Sequence, residues 1–268
     1  MAEIFSYSWL GLQQPYLDTP ALAYCGNVVI GCYGGTTSTG SRKNEDGALV
    51  WAEESGSWEF AVILDAHNSS ESAALILRTM TIEKQAIRSF LSLHVGQAFS
   101  ELQGHLISRF QSPAFRTRCK FLEGEASCII AARKGPFLWW LSIGDCQVYL
   151  FHAELAQHGQ FALNQRNFFE WIGQANTFEL PVACYSSGIR ELRKGLNQIT
   201  LVTDGVLESG EHYFSQPRNL FKEYTKNHRE SESFVKSTLL KVKKARGRDS
   251  ATMISWGHLS HESGLSAK

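Results

Sequence analysis

A chain of 268 residues, 43% hydrophobic and 19% charged, has the composition of an ordinary soluble globular protein, and its length fits one large domain better than a linked pair. Its 26 basic residues balance its 26 acidic ones, so no charge field points to nucleic acid or to an anionic membrane surface. No apolar run approaches the roughly 18 residues of a membrane span, and the start lacks the positive region and long apolar core of a secretory leader. The six cysteines are scattered without C-x-x-C spacing, which speaks against a zinc cage or a disulfide framework. A cytoplasmic monomer with free thiols is expected.

Residues 1–26 read as an irregular N-terminal extension whose aromatics, Phe5, Tyr7, Trp9 and Tyr16, lie across a core. Residues 27–257 then form one domain, and 258–268 a polar tail. The run 27–32 (NVVIGC) is a first strand, and a Gly- and Thr-rich loop leads from it to Arg42-Lys43-Asn44-Glu45-Asp46. Residues 48–52 (ALVWA) and 58–64 (WEFAVIL) read as neighbouring strands of a hairpin. A helix begins near Ser69 or Ser70, which can cap it, with Glu71 in the favourable first turn. Val95, Phe99, Leu102, Leu106 and Phe110 recur at three- and four-residue steps and predict an amphipathic helix, with room for another between the two.

Strand-sized runs return at 125–132, 137–143 and 147–151, the first two separated by the turn Lys134-Gly135-Pro136. Residues 161–163 read as a further strand, the aromatic 164–173 (NQRNFFEWIG) as a short helix, and 176–191 as an irregular excursion. Residues 164–191 are also a candidate substrate-facing flap. The strand 199–202 (ITLV) runs into Thr203-Asp204-Gly205, residues 213–244 carry helical material, especially 232–244, and 251–256 form a last strand after Arg248-Asp249-Ser250. Strands, helices, more strands, a helix and a strand make an α+β pattern with antiparallel sheets.

The chemistry centres on Leu64-Asp65-Ala66-His67. Five apolar residues, Phe60 to Leu64, read as a buried strand that delivers an Asp and a His where the apolar pattern stops. Asp145, Asp204 and Asp249 stand at the edges of other apolar runs, and Glu45-Asp46 precedes one more. Each alone is an ordinary turn or surface acid. Brought together, such carboxylates repel and are costly to bury, and a cation relieves that cost. Oxygen ligands without cysteine suit a hard ion, Mg²⁺ or Mn²⁺.

The ordered set Arg42…Asn44-Glu45-Asp46, Leu64-Asp65-Ala66-His67, Gly144-Asp145, Thr203-Asp204-Gly205 and Asp249-Ser250 resembles the type 2C, metal-dependent serine/threonine protein phosphatases across 27–257. The resemblance implies a four-layer αββα sandwich, two antiparallel sheets face to face with helices outside both. It implies two Mg²⁺ or Mn²⁺ ions and a weaker third. Asp65 matches the carboxylate bridging the pair, and Asp204 and Asp249 complete the first site. Asp46, with Glu45 as alternative, and the backbone carbonyl of Ala66 serve the second. Asp145 matches a ligand of the third ion in bacterial-type members. Arg42 is the implied phosphate clamp, with Lys43 as fallback, because a guanidinium suits bidentate phosphate binding. His67 is the implied general acid for the leaving alkoxide. The implied substrate is a phosphoprotein, dephosphorylated at serine or threonine by a water activated between two ions.

The departures from the family pattern are specific. Asp65-Ala66-His67-Asn68 stands where Asp-Gly-His-Gly is usual, and alanine is disfavoured where φ is positive. Gly144-Asp145-Cys146-Gln147 lacks the arginine that commonly ends that motif, Asp249-Ser250 replaces Asp-Asn, and the first motif is one residue short between its arginine and its acid. No departure removes a ligating carboxylate, which favours an active enzyme. Ala66 and Gln147 favour a catalytically silent, phosphoprotein-binding relative, and a hydrolase of small phosphate esters is a third reading.

Overall fold

The computed structural model describes residues 3–261. Five strands, β1 (Ile4–Leu10), β2 (Ala21–Cys25), β3 (Val28–Tyr33), β4 (Gly47–Glu53) and β5 (Trp58–His67), precede four helices, α1 (Glu71–Ile82), α2 (Lys84–Ser92), α3 (Val95–Gln111) and α4 (Pro113–Cys119). Strands β6 (Glu125–Lys134), β7 (Phe137–Ile143) and β8 (Gln147–Phe151) follow, then the short α5 (Ala153–Gln157), β9 (Ile172–Gly173), β10 (Ser186–Glu191) and β11 (Gly195–Val202). Helices α6 (Asp204–Leu207), α7 (Pro217–Lys226) and α8 (Ser231–Lys244) lead to β12 (Ala251–Ser260).

Side-chain alternation sorts these elements into layers. In β5, Phe60, Val62 and Leu64 pack with Met80 of α1, Leu91 of α2 and Leu102, Leu106 and Phe110 of α3. The intervening Ala61 and Ile63 face the other way, toward Ile30, Ile199, Leu201, Ile254 and Trp256. The outer face of the second sheet, through Tyr33, Tyr149, Phe151 and Met253, is covered by Phe234, Leu239 and Val242 of α8 and Leu220 and Tyr224 of α7. Helices, sheet, sheet, helices is therefore the order, with three apolar interfaces between four layers.

The first sheet runs β1-β4-β5-β6-β7-β10, with β9 paired to the end of β6, and the second runs β2-β3-β12-β11-β8. Every pairing is antiparallel. The expected α+β, two-sheet architecture is the one observed.

Several local expectations are corrected. Within residues 3–26 the stretch is not wholly irregular: β1 and β2 supply an edge strand to each sheet, joined by an irregular segment over 11–20. Residues 161–163 make only an isolated bridge, Ala162 to Tyr149, and 164–171 is a loop, not a helix. The excursion at 176–191 contains β10, paired along its length with β7. Residues 258–260 continue β12 instead of starting a tail, and the tail beyond 261 lies outside the described residues. All six cysteines are free, and five of them are buried. Among the described residues no helix is long and apolar enough to cross a membrane.

Candidate active site

Period-two alternation aims the strand-end acids. Ala61 and Ile63 face the second sheet, so Asp65 and His67 follow on that same face at the end of β5. Ala66 points the other way, into the helix-side core with Leu64 and Ala126. Ala48 and Val50 of β4 also face the second sheet, which carries Asp46 to that side. Gly47 pairs with Leu64, so Asp46 and Asp65 lie opposite each other one step further on.

The second sheet delivers its own acids to the same place. Val202 pairs with Met253, which sets Thr203-Asp204 beside the start of β12. The Thr203 amide donates to the Thr252 carbonyl (3.1 Å), and the Thr252 amide donates to Thr203 Oγ1 (2.9 Å). Both threonine hydroxyls then donate across the gap to Asp46 Oδ2, at 2.6 Å from Thr252 and 3.3 Å from Thr203. The Asp204 amide donates to Asp65 Oδ2 at 3.4 Å. Gly205 permits this junction, because a Cβ there would lie 1.9 Å from the Ser250 carbonyl oxygen. The Asp-Gly pair opens α6 against the segment that leads from Asp249 into β12 and is not a simple turn.

These carboxylates are held under electrostatic stress. Asp46, Asp65 and Asp204 are 1%, 3% and 9% exposed, while Asp249 stands at the exposed rim. Burial pushes the Asp46 and Asp65 carboxyls well above the usual carboxylate range, and repulsion from Asp204 and Asp249 adds to it at both, with Asp46 adding at Asp65. Asp204 is pushed up to about 6, first by burial and then by Asp249, Asp145 and Glu208. The Cys146 thiol is raised by its own burial and by the same acids, so it lies beneath them as an inert, protonated sulfur.

The donor set fits a hard cation. Asp46 Oδ1 and Asp204 Oδ1 are buried without a hydrogen-bond partner, a costly state that a divalent ion removes. Among the described residues no three acidic, histidine or cysteine side chains are drawn in around one point as a finished ion cage. What converges is a set of repelling carboxylates with two oxygens to spare.

The other expected residues surround this cluster. Arg42 is exposed and lines a cleft of about 490 Å³ together with Lys43, Arg248, Asp249 and Ser250. Lys43 is engaged elsewhere, donating to Glu45 Oε1 and to the Asn68 carbonyl, each at 2.7 Å. Glu45 is thereby held in a surface pair while Asp46 points inward. His67 is half-buried at the strand end. Ala66 sits in extended backbone, so the penalty expected for alanine at positive φ does not arise there. The left-handed residue is Asn68 (φ 71°), a residue type that tolerates this conformation.

No family model and no curated protein sequence matches the chain. Solved structures do. A bacterial serine phosphatase superposes with a TM-score of 0.66 at 14% identity, covering 88% of this chain and 99% of that one. PppA of Pseudomonas aeruginosa, described as a key regulatory component of its T6SS, gives 0.60 at 13% identity over 96% of this chain and 100% of its own. The catalytic domain of the serine/threonine protein phosphatase PstP, in complex with two manganese ions, gives 0.54 at 10% identity over 95% and 97%.

The fold is that of the type 2C serine/threonine phosphatases.

Asp145 lies beside this cluster and is already partnered. Ser127 Oγ donates to Asp145 Oδ1 at 2.7 Å, and Arg166 Nη2 to Oδ2 at 3.1 Å. Sequence reasoning missed Arg166, which lies in the aromatic stretch taken for a helix. Its only signal was the arginine absent after Asp145, and Arg166 returns a guanidinium to that carboxylate from 21 residues away. Arg248 stands beside Asp249 in the same cleft and was not among the expected site residues.

Proposed function

We propose that this chain is a divalent-metal-dependent phosphomonoesterase that removes phosphate from phosphoserine and phosphothreonine in proteins. The observation that carries this reading is the convergence of Asp46, Asp65 and Asp204 from two sheets, buried, with two carboxylate oxygens unpartnered. These three, with Asp249 at the rim and the Ala66 carbonyl, would hold Mg²⁺ or Mn²⁺. Bound there, such ions supply positive charge for the phosphoryl oxygens and a water of lowered pKa. Neighbours of the same fold described with two manganese ions and with magnesium support the choice of metal.

The chain's own groups do the rest. Arg42, exposed on the cleft wall and in no ion pair among the described residues, binds a phosphate dianion through its planar fork. Thr203 and Thr252 fix the Asp46 carboxylate, so its free oxygen keeps one direction. The Asp204 amide does the same for Asp65. His67 lies two residues beyond Asp65 on the same strand face, which supports it as the donor of a proton to the departing serine or threonine oxygen. Such positioning and charge neutralisation supply most of what phosphoryl transfer requires. The cleft is open, which suits a phosphorylated side chain carried on a protein surface.

The test is hydrolysis of p-nitrophenyl phosphate and a phosphothreonine peptide with Mn²⁺, with Mg²⁺ and with EDTA. Turnover should require metal, and Asp65→Asn and Asp204→Asn should each reduce it by more than 100-fold. Preference for the peptide identifies a protein phosphatase, and preference for small esters moves the substrate class to metabolites. A folded protein without turnover would replace this reading with that of a phosphoprotein-binding relative.

A further inference from the structure

Arg166 is fixed before any ligand arrives. Its loop is tied down by Asn164, whose Oδ1 accepts from the Val148 amide (2.9 Å) and whose Nδ2 donates to Ser142 Oγ (2.8 Å) and the Cys146 carbonyl (2.9 Å). The Asn167 amide donates to the Gly144 carbonyl at 3.0 Å. The guanidinium so positioned reaches three acids. Nη2 lies 2.6 Å from Glu208 Oε1, 3.1 Å from Asp145 Oδ2 and 3.8 Å from Asp204 Oδ2, and Nε donates to the Asp145 carbonyl at 3.2 Å. With Ser127 on the other oxygen, both carboxylate oxygens of Asp145 are committed. This contrasts with Asp46 and Asp204, each of which keeps one buried oxygen free.

We infer that Arg166 is a built-in cation that takes the place of a third metal ion. It rests on the metal-centre reading above. The centre then binds two ions through Asp46, Asp65, Asp204 and Asp249, and Asp145 is a partner of Arg166 and not a metal ligand. The physical case is one of charge and occupancy. A third divalent ion at Asp145 would have to displace a guanidinium held by four polar contacts. It would also stand beside that positive charge, at a cost that rises where water is excluded. A fixed guanidinium cannot be deprotonated and does not exchange with solvent, so the neutralisation it gives Asp145 and Glu208 does not depend on metal concentration. The arginine missing from the strand after Asp145 is thereby replaced from a loop above the site, with a new function.

The experiment is a Mn²⁺ titration of the full chain by calorimetry, with the bound metal counted independently by equilibrium dialysis. Wild type, Arg166→Gln, Asp145→Asn and the double variant are compared, each checked for folding by circular dichroism. Wild type and Asp145→Asn should both bind two ions. Arg166→Gln should bind a third, at least tenfold more weakly, and the double variant should lose it again. A merely structural arginine would leave the count unchanged. Two ions in both wild type and Arg166→Gln, or three in wild type with one lost in Asp145→Asn, would overturn the assignment of Arg166 alone. No ion bound by folded wild type would overturn the metal-centre reading and this inference with it.

Discussion

Asp65 is 3% exposed and faces Asp204 and Asp46, so in the absence of metal its charge works against the fold. Asp65→Asn should therefore raise the melting temperature in EDTA, the reverse of the usual effect of a buried substitution. Mn²⁺ at a hundred times its Kd should stabilise wild type by about 2.7 kcal/mol for each ion bound, roughly 5–10 °C per ion, and leave the variant almost unmoved. Differential scanning fluorimetry with and without the ion checks both. Ala66 gives a second test. Its methyl is buried in the helix-side core on extended backbone, so Ala66→Gly should cost about 1 kcal/mol in a urea titration even though it restores the commoner motif. The carboxylates were legible in the sequence because each stands where an apolar run stops, at a strand end that aims it. Arg166 was not, because its partner Asp145 is 21 residues away and only the pinned loop joins them.

At the scale of elements, α6 depends on one close approach. A Cβ on Gly205 would stand 1.9 Å from the Ser250 carbonyl, so Gly205→Ala must push α6 away from β12 and separate Asp204 from Asp249. A loss of more than 2 kcal/mol and of metal-dependent turnover together is expected, read by chemical denaturation and by the peptide assay. On the other side of the molecule Glu83, between α1 and α2, is gripped by Arg109 and His105 of α3. Burial alone would raise its carboxyl, but those bonds outweigh it and hold it below the usual range. Its contribution is fully present above the unfolded value near 4.3 and is lost as pH falls through the lower folded value. Glu83→Gln should therefore lose less stability than wild type between pH 5 and pH 3, as measured by urea midpoints. The long elements were legible from period: α3 repeats its apolar residues every three or four positions, and β5 alternates. The edge strands were not. β1 and β10 are half exposed, and their pairings to β4 and β7 are made with residues distant in sequence. The aromatics of 164–171 imitated a helix because side-chain bonds from Asn164, invisible in the sequence, decide that loop.

For the molecule as a whole, the sandwich keeps its structural charge and its functional charge at opposite ends. Glu59 and Arg133 pair across β5 and β6, almost fully buried, and Arg133 also donates to the carbonyls of Gly56, Ser57 and Gly135. Along β5 that pair lies six residues from Asp65, roughly 20 Å. Glu59→Ala should cost about 3–5 kcal/mol by leaving Arg133 uncompensated, while turnover per folded molecule at 20 °C stays near wild type. The four-layer architecture followed from the family resemblance that the five ordered motifs carry, while element order by itself gave only an α+β pattern with antiparallel sheets. The placement of the N-terminal strands within both sheets depended on edge pairing and emerged only in three dimensions. The proposed chemistry depends on carboxylates from two sheets meeting to hold divalent ions. Its most direct test is a calorimetric titration of Mn²⁺ into metal-free wild type and Asp65→Asn at pH 7. Saturable binding to wild type that Asp65→Asn abolishes is the predicted result. Equal binding by the two proteins, or none by folded wild type, would contradict it.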